Sequence, residues 1–264
     1  MALVVTDAIV LHSFDYLESS RVLRLATREH GVQSVLAKGA RRSQKRFSGA
    51  LDLFAEGQAQ FYARAGRDLH TLASFDVNRA RFALAADLER FAAAAALAEL
   101  VLRFARDESE PTWYDTLVDA LDAVAVADPG AARAAGLAGA WRLVAALGFA
   151  PSLDACASCH DALPAERPAR FSHPAGGLLC ERCGRLAGVG RALLAEARAA
   201  LRAWVGAEDE EPPLDPQSAR AHQRLLREFL REHLTDGRPL RAFESWEGSR
   251  LAAGPASPGA DAAP

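Results

Sequence analysis

No apolar run in this 264-residue sequence is long enough to cross a membrane. The longest stretch, Phe91 to Leu102, is too short for a span and contains Glu99. The first residues, Met1 to His12, lack a basic region followed by a long apolar run. No secretory signal is expected, and the predicted compartment is the cytoplasm. Catalytic signatures are missing as well. There is no Gly-rich phosphate loop ending in Lys-Ser/Thr, which excludes an ATPase of that class, and there is no His-Glu-x-x-His or Gly-x-Ser-x-Gly. The 7 histidines are scattered without the spacing of a site, and no internal repeat is evident. The chain therefore reads as a binding protein and not as an enzyme. Lysine is almost absent: only Lys38 and Lys45 occur, and nearly all other basic residues are arginine. Together with heavy alanine use this is the mark of GC-rich coding. It makes the location of the two lysines informative.

Half the residues are apolar and a quarter charged, as in ordinary globular proteins, and the length suits one large or two small domains. The net charge of −3 does not advertise a nucleic-acid partner. Its distribution is uneven: residues 1–80 carry 11 Lys/Arg against 8 Asp/Glu, and the remainder 20 against 26. The positive end is the N-terminus.

The first 75 residues read as strands. Leu3 to His12, Arg21 to Thr27, Val32 to Ala37, Leu51 to Tyr62 (weakened at Gly57) and Leu69 to Phe75 are β-rich runs separated by turn signals. Five such strands suit an OB-type barrel. After Asn78 the apolar spacing turns helical through Phe104. Pro111 breaks the chain, and Thr112 with Asp115 resembles a capping box for a helix running to about Ala127. Asp128-Pro129-Gly130 interrupts again, and the next helix stops at Gly148 with Pro151 beyond. Residues 151–187 form a separate small module rich in Pro and Gly that holds every cysteine. Helices resume at about Arg191 to Val205. A last one starts at Asp215-Pro216, an N-cap with proline at the first helical position, and runs to about Leu234. The predicted organisation is α+β: an OB-fold barrel over 1–78, a helical domain over 79–150 and 188–245 interrupted by the cysteine module, and a disordered tail over 246–264 rich in Ala, Gly, Pro and Ser.

The strongest chemical signal is Cys156-x2-Cys159, then twenty residues, then Cys180-x2-Cys183. Each pair can present two thiolates from one tight turn, and two facing turns supply four sulfurs in a tetrahedron. Zinc favours that set because it is borderline-soft and has no d-electron geometric preference. Two other readings compete: redox-active pairs, which normally open a helix in a βαβ setting absent here, and plain buried thiols. His160 and His173 lie close enough in sequence to substitute for a cysteine, though a surface histidine is the simpler reading. If four thiolates hold the ion, no coordination position stays open for water, and the zinc is structural.

The second signal is Lys38-Gly39-Ala40-Arg41-Arg42-Ser43-Gln44-Lys45-Arg46, with five positive charges in nine residues and no acid. Both lysines of the chain are here. A cationic loop between two strands can follow a phosphate backbone without reading bases, so Lys38, Arg41, Arg42, Lys45 and Arg46 are the candidate DNA-binding residues. Phe47, Phe54, Phe61 and Tyr62 lie nearby, and aromatic platforms beside a cationic groove are what single-strand binding needs. Aromatics in strands are more often core, so at most one of them is expected to meet a base.

These residues carry a resemblance. Leu36-Ala37-Lys38-Gly39-Ala40-Arg41-Arg42, followed by Gly49-Ala50-Leu51 and Phe54, is similar to the signature of the bacterial RecO family. Leu11, Glu18, Ser20, Thr27 and Gly31 upstream, Leu143, Leu147, Gly148 and Cys156 downstream, and Gly237-Arg238-Pro239-Leu240-Arg241 near the end extend it over about residues 1–245. The resemblance implies an OB-fold, a helical domain and, in many members, a zinc module. It also implies binding of single- and double-stranded DNA, annealing of complementary strands, and partnership with RecR in helping RecA replace single-strand-binding protein, whose acidic tail docks on the helical domain. The setting it implies is the cytoplasm, at the nucleoid. The chain departs from the pattern after Leu240-Arg241: Ala242-Phe243 stands where the family often has a Ser and a second basic residue.

Three other function classes stay open at this point. One is an RNA-binding protein using the same barrel and zinc module, which a preference for RNA over DNA at equal salt would reveal. Another is a protein adaptor whose basic loop meets no nucleic acid. An enzyme with a cryptic zinc site is a third, excluded if four cysteines saturate the ion.

Overall fold

The computed structural model describes residues 2–41, 51–105, 111–128, 130–164, 169–188, 190–206, 214–234 and 238–248. Five strands come first: β1 (Ala2–Tyr16), β2 (Ser20–Thr27), β3 (Gly31–Ala37), β4 (Glu56–Ala63) and β5 (Leu69–Arg79). They close into a barrel in the order β1-β2-β3-β5-β4, antiparallel except where β3 meets β5. This is the expected five-strand OB-type barrel. Its interior is filled by the inward residues of alternating strands, among them Val10, Leu23, Leu25, Val35, Phe61 and Leu72. Gly57 is required inside β4 because a Cβ there would collide with the Asp76 carbonyl oxygen of β5.

The expected strand from Leu51 does not form before Glu56. Leu51 to Phe54 turns instead, and Phe54 adopts φ 66°, a left-handed conformation rare for a bulky residue. The strain is held by two partners. The Phe54 N–H donates to the Val10 carbonyl at 2.8 Å, and its ring packs edge-on against Phe91 at 5.9 Å between centroids. Phe54 is a plug between the barrel and the helical body, not a surface aromatic.

The helical body contains α1 (Phe82–Ala86), α2 (Leu88–Phe104), α3 (Pro111–Val126), α4 (Ala132–Ala146), α5 (Glu181–Ala187), α6 (Ala195–Val205), α7 (Pro216–His233) and α8 (Arg241–Gly248). Between α4 and α6 lie three short strands, β6 (Ala169–Ser172), β7 (Gly177–Leu179) and β8 (Arg191–Leu193), in the order β7-β6-β8. Among the described residues no helix is long and apolar enough to cross a membrane.

Small side chains let α2, α3 and α4 approach closely. Ala92, Ala93, Ala94 and Ala96 of α2 and Ala138 and Ala140 of α4 are all buried. At Gly139 a Cβ would lie 2.6 Å from that of Ala120 in α3. The alanine content is therefore a packing device as well as a coding habit. Trp141, Trp204, Trp246 and Tyr114 fill the space that remains.

Several local readings change. The helical run after Asn78 is split at Asp87, whose side chain accepts the Arg90 N–H at 2.8 Å and starts α2. Thr112 is no cap, because the helix already includes Pro111; a proline without an N–H is a natural first-turn residue. Arg191–Leu193, expected to be helical, pairs with β6 as a strand. Asp215 does cap α7 through the Gln217 and Ser218 N–H groups. Residues 246–248, expected to belong to the tail, are helical. α8 continues to Gly248 with Trp246 buried, and residues 249–264 lie outside the described ones.

Glu99, which interrupts the longest apolar stretch, accepts the N–H groups of Arg241, Ala242 and Phe243 at 3.0, 2.9 and 3.4 Å and so caps α8 from α2. Phe243, at the position where the resemblance expects polar or basic character, is fully buried. The departure in the sequence is thus a core residue here.

The barrel and body share one continuous core. Ile9, Leu11, Ala26 and Phe54 of the barrel pack into the same cluster as α2, α3 and α4. Arg81 is buried at the seam, donating to the Phe54 carbonyl at 3.0 Å, to Glu56 at 2.7 Å and to Asp122 of α3 at 2.7 Å. Arg28 at the end of β2 adds an ion pair to Asp115 at 2.5 Å and lies over the Tyr114 ring.

Candidate metal centre and nucleic-acid surface

The two cysteine pairs arrive on two turns that backbone hydrogen bonds hold together. The first is a small hairpin: Cys156 N–H donates to the Asp161 carbonyl, Leu163 N–H to that of Asp154, and His160 N–H back to that of Cys156. The second follows β7, where Cys180 begins α5 and its sulfur accepts the Cys183 N–H at 3.4 Å. Ala157 N–H donates to the Leu178 carbonyl at 2.8 Å, which fixes one turn against the other. Cys180 N–H then points at the Cys156 sulfur, 3.4 Å away.

The result is four sulfurs all within 4.8 Å of one another, with Cys159 and Cys180 at 3.8 Å. Ligands about 2.3 Å from a central ion at tetrahedral angles are about 3.8 Å apart along each edge, so the spacing fits a thiolate-bound metal. All four cysteines are unbridged. Cys156 is fully buried, Cys183 nearly so, and Cys159 and Cys180 sit at the rim.

Burial opposes ionisation of Cys156. Backbone N–H groups from Cys159, Cys180 and Ser158 outweigh it and bring the thiol down to about 6. Cys159 moves the other way, up to about 12. The Asp161 N–H favours its thiolate, but burial and the side chains of Cys156, Asp161 and Cys183 outweigh that donor. Four thiolates this close repel one another, and a divalent cation at their centre is what allows all of them to ionise together.

The second pair does open a helix, as redox pairs do, but all four sulfurs converge on one point. His160 is exposed, and His173 lies against Glu228 at 3.5 Å; neither joins the cluster. The module is not a free appendage. Leu153, Leu163, Phe171 and Leu178 belong to the helical core. Arg198 of α6 is buried and donates to the carbonyls of Leu153 at 2.9 Å, Pro164 at 2.8 Å and Leu163. Nothing in the local sequence marks Arg198; only its burial after folding identifies it.

Of the candidate DNA-binding residues, Lys38 and Arg41 are described, and both are exposed at the end of β3. Arg42, Lys45 and Arg46, and with them Phe47, lie outside the described residues. Gly39, at φ 72°, lets the chain turn out of β3. The Arg41 N–H donates to the Ser19 carbonyl at 3.0 Å, which ties the basic segment to the tip of the β1–β2 hairpin. The Arg41 guanidinium shares Asp15 with Arg21, at 3.6 and 3.2 Å. The sequence count of five cations with no acid thus overlooked an acid brought in by β1. Of the aromatics, Phe54 and Phe61 are buried and Tyr62 is exposed.

Comparison with known proteins agrees with this arrangement. Residues 1–81 match the family described as Recombination protein O N terminal, and residues 85–242 match Recombination protein O C terminal. A DNA repair protein RecO from Anaeromyxobacter sp. strain K is 41% identical over 242 residues, covering 89% of this chain and 92% of the relative. One from Myxococcus xanthus is 34% identical over 239 residues, covering 90% and 94%. One from Geobacter sulfurreducens is 36% identical over 181 residues, covering 68% and 72%. With the barrel, the helical body and the cysteine module in place, the chain belongs to the RecO family of DNA repair proteins.

Proposed function

We propose that this chain is a non-enzymatic recombination mediator. It binds single- and double-stranded DNA through the cationic end of its barrel and anneals complementary strands. With RecR it helps RecA load onto DNA coated by single-strand-binding protein, whose acidic tail docks on the helical body. It works in the cytoplasm at the nucleoid. Family membership supports the class of function. The observation that carries the DNA contact is the exposed pair Lys38 and Arg41, pinned beside the β1–β2 hairpin on a barrel that is buried against helices elsewhere, around Ile9, Leu11, Ala26 and Phe54. Arg42, Lys45 and Arg46 continue the same basic segment in sequence. Neutralising phosphates with these side chains lets two strands approach without ATP.

Zinc is the proposed ion at Cys156, Cys159, Cys180 and Cys183. Four thiolates saturate it, so its part is to hold the module together, with no open position for chemistry.

The test is fluorescence anisotropy of a labelled single-stranded oligonucleotide over a range of salt, for the wild type and a Lys38→Ala, Arg41→Ala, Arg42→Ala variant. Loss of up to about three units of salt slope, with folding intact, supports the reading. The Arg41 share is expected to be the smallest, since phosphate competes there with Asp15. Equal binding by both proteins refutes the assignment of these residues. A wild type that binds no DNA at low salt refutes direct DNA contact altogether.

A further inference from the structure

We propose that the outer face of the β1–β2 hairpin is a stacking strip for unpaired DNA bases, built from His12, Phe14 and Tyr16. The inference rests on the DNA-binding reading above and adds to it a physical reason for preferring one strand over two.

β1 and β2 change register between Val10 and His12, where a β-bulge interrupts the ladder. Beyond it, Ser13 stands opposite Leu23, an interior residue of the barrel, so Ser13 takes the inner face. His12, Phe14 and Tyr16 then share the outer face. Phe14 remains 45% exposed and Tyr16 41%, and Leu17 projects at the hairpin tip with φ 52°. The His12 and Phe14 rings lie 5.8 Å apart and tilted by 52°, so they are not stacked on each other.

Cations outnumber acids around the strip, Arg21, Arg24, Lys38 and Arg41 against Asp15 and Glu18. Arg24 stands opposite His12 in the ladder, and Arg41 is hydrogen-bonded to the hairpin at Ser19. Lys38 leaves the neighbouring strand next to Ala37, whose partner is Arg21. Tyr, Phe and Arg are enriched at protein–protein interfaces as well, but lysine is depleted there, and both lysines of the chain, Lys38 and Lys45, lie in the basic segment that leaves β3 beside the rings. Rings among these cations match a single-strand groove, in which cations follow the backbone and aromatic faces take the bases.

Spacing decides which form of DNA fits. Same-face residues on a strand recur about every 6.8 Å. That is about twice the 3.4 Å step of a strand held in a duplex. Adjacent bases of a duplex are too close together to sit on adjacent rings, and pairing turns them toward the other strand. An unpaired strand can stretch to the longer step and lay successive bases on Tyr16, Phe14 and His12. The strip then reads strandedness, and the basic segment supplies affinity common to both forms.

The test measures anisotropy with a labelled oligo-dT and a blunt duplex of equal length, for the wild type and a Phe14→Ala, Tyr16→Ala variant. The expected loss for oligo-dT is about fivefold per ring, roughly 25-fold for both, at the low end for base–aromatic stacking. Duplex affinity should change less than about twofold and the salt slope should not change, because no phosphate contact is removed. Both rings are exposed, so the melting temperature should hold. If it falls, a Phe14→Leu, Tyr16→Leu variant keeps the apolar bulk without the π faces and should show the same loss. A Phe14→Tyr, Tyr16→Phe variant should bind as the wild type does. Unchanged oligo-dT binding in a wild-type background that binds DNA overturns the strip and leaves the DNA reading standing. A parallel fall in duplex binding also overturns it. A wild type that binds neither probe overturns both readings.

Discussion

Replacing Arg81 with methionine removes a cation whose acceptors come from three places in the chain. Its side chain is 2% exposed and bonds the Phe54 carbonyl, Glu56 of β4 and Asp122 of α3 at 3.0, 2.7 and 2.7 Å. Deleting one partner of a buried ion pair typically costs 3–5 kcal/mol, because the remaining charge stays buried without compensation. Two features put this case at the low end. Asp122 is 32% exposed and keeps Arg79, and Glu56 is 18% exposed and can recover some water. The strained Phe54 carbonyl loses its donor as well. The expected loss is about 3 kcal/mol, roughly a hundredfold in the folding equilibrium. For a chain of this size that lowers the melting temperature on the order of 5–10 °C. Equilibrium urea unfolding followed by fluorescence measures it. An Arg81→Met, Glu56→Gln variant should recover about 1 kcal/mol, since it removes a stranded charge. A loss below about 1 kcal/mol for Arg81→Met refutes the view that this guanidinium joins barrel to body.

Chelating the metal, or substituting Cys156→Ser, should lower the melting temperature on the order of 10 °C, since an ion present at a thousand times its Kd contributes about 4 kcal/mol. DNA affinity of the protein that remains folded should be unchanged, and an unchanged melting temperature after metal removal refutes the structural role. Gly57→Ala should destabilise by about 2 kcal/mol because the new methyl meets the Asp76 backbone; stability equal to wild type in urea refutes the close approach of β4 and β5. His222 is buried against Trp204, and desolvation pushes it down to about 4. The unfolded chain takes up that proton near pH 6.5 and the folded one only near 4. The His222 contribution is therefore intact above pH 6.5 and falls by about 3 kcal/mol as pH drops to 4. A His222→Phe variant with the same stability slope as wild type over that window refutes this.

The sequence was most legible where one local pattern determines the outcome. Alternating strands, the Asp215-Pro216 helix start and the two Cys-x2-Cys turns each depend on residues within a few positions of one another. It was least legible where distant segments settle a local choice. Phe54 reads as part of a strand until the barrel and α2 demand a plug there. Arg191–Leu193 reads as helix until β6 offers it an edge. Glu99 reads as a blemish in an apolar helix until α8 brings three N–H groups to it. The same limit applied to the surface. A run of five cations was visible in the sequence, but the acid that shares Arg41 lies on β1. Phe14 and Tyr16 lay beyond the strand expected to end at His12, because the bulge that carries β1 onward and turns them outward has no signature of its own.

That bulge joins the stability of the fold to its proposed task. Up to Leu11, the outward residues of β1, Ile9 and Leu11 itself, are buried against the helices. In an unbroken strand the same alternation would continue with Ser13 and Asp15 outward, and would drive His12 and Phe14 into the barrel. Leu11 is the residue without a partner in the register, between Val10 opposite Leu25 and His12 opposite Arg24. The extra residue keeps the apolar outer face running past the edge of the helical body, so one strand serves two surfaces. Its middle anchors the barrel to the helices, and its far end carries rings into solvent beside Lys38 and Arg41. The anchoring by Ile9, Leu11, Phe54 and Arg81 holds that far end fixed relative to the body. A strand bound on the proposed strip would therefore be held in a defined position relative to the helical body.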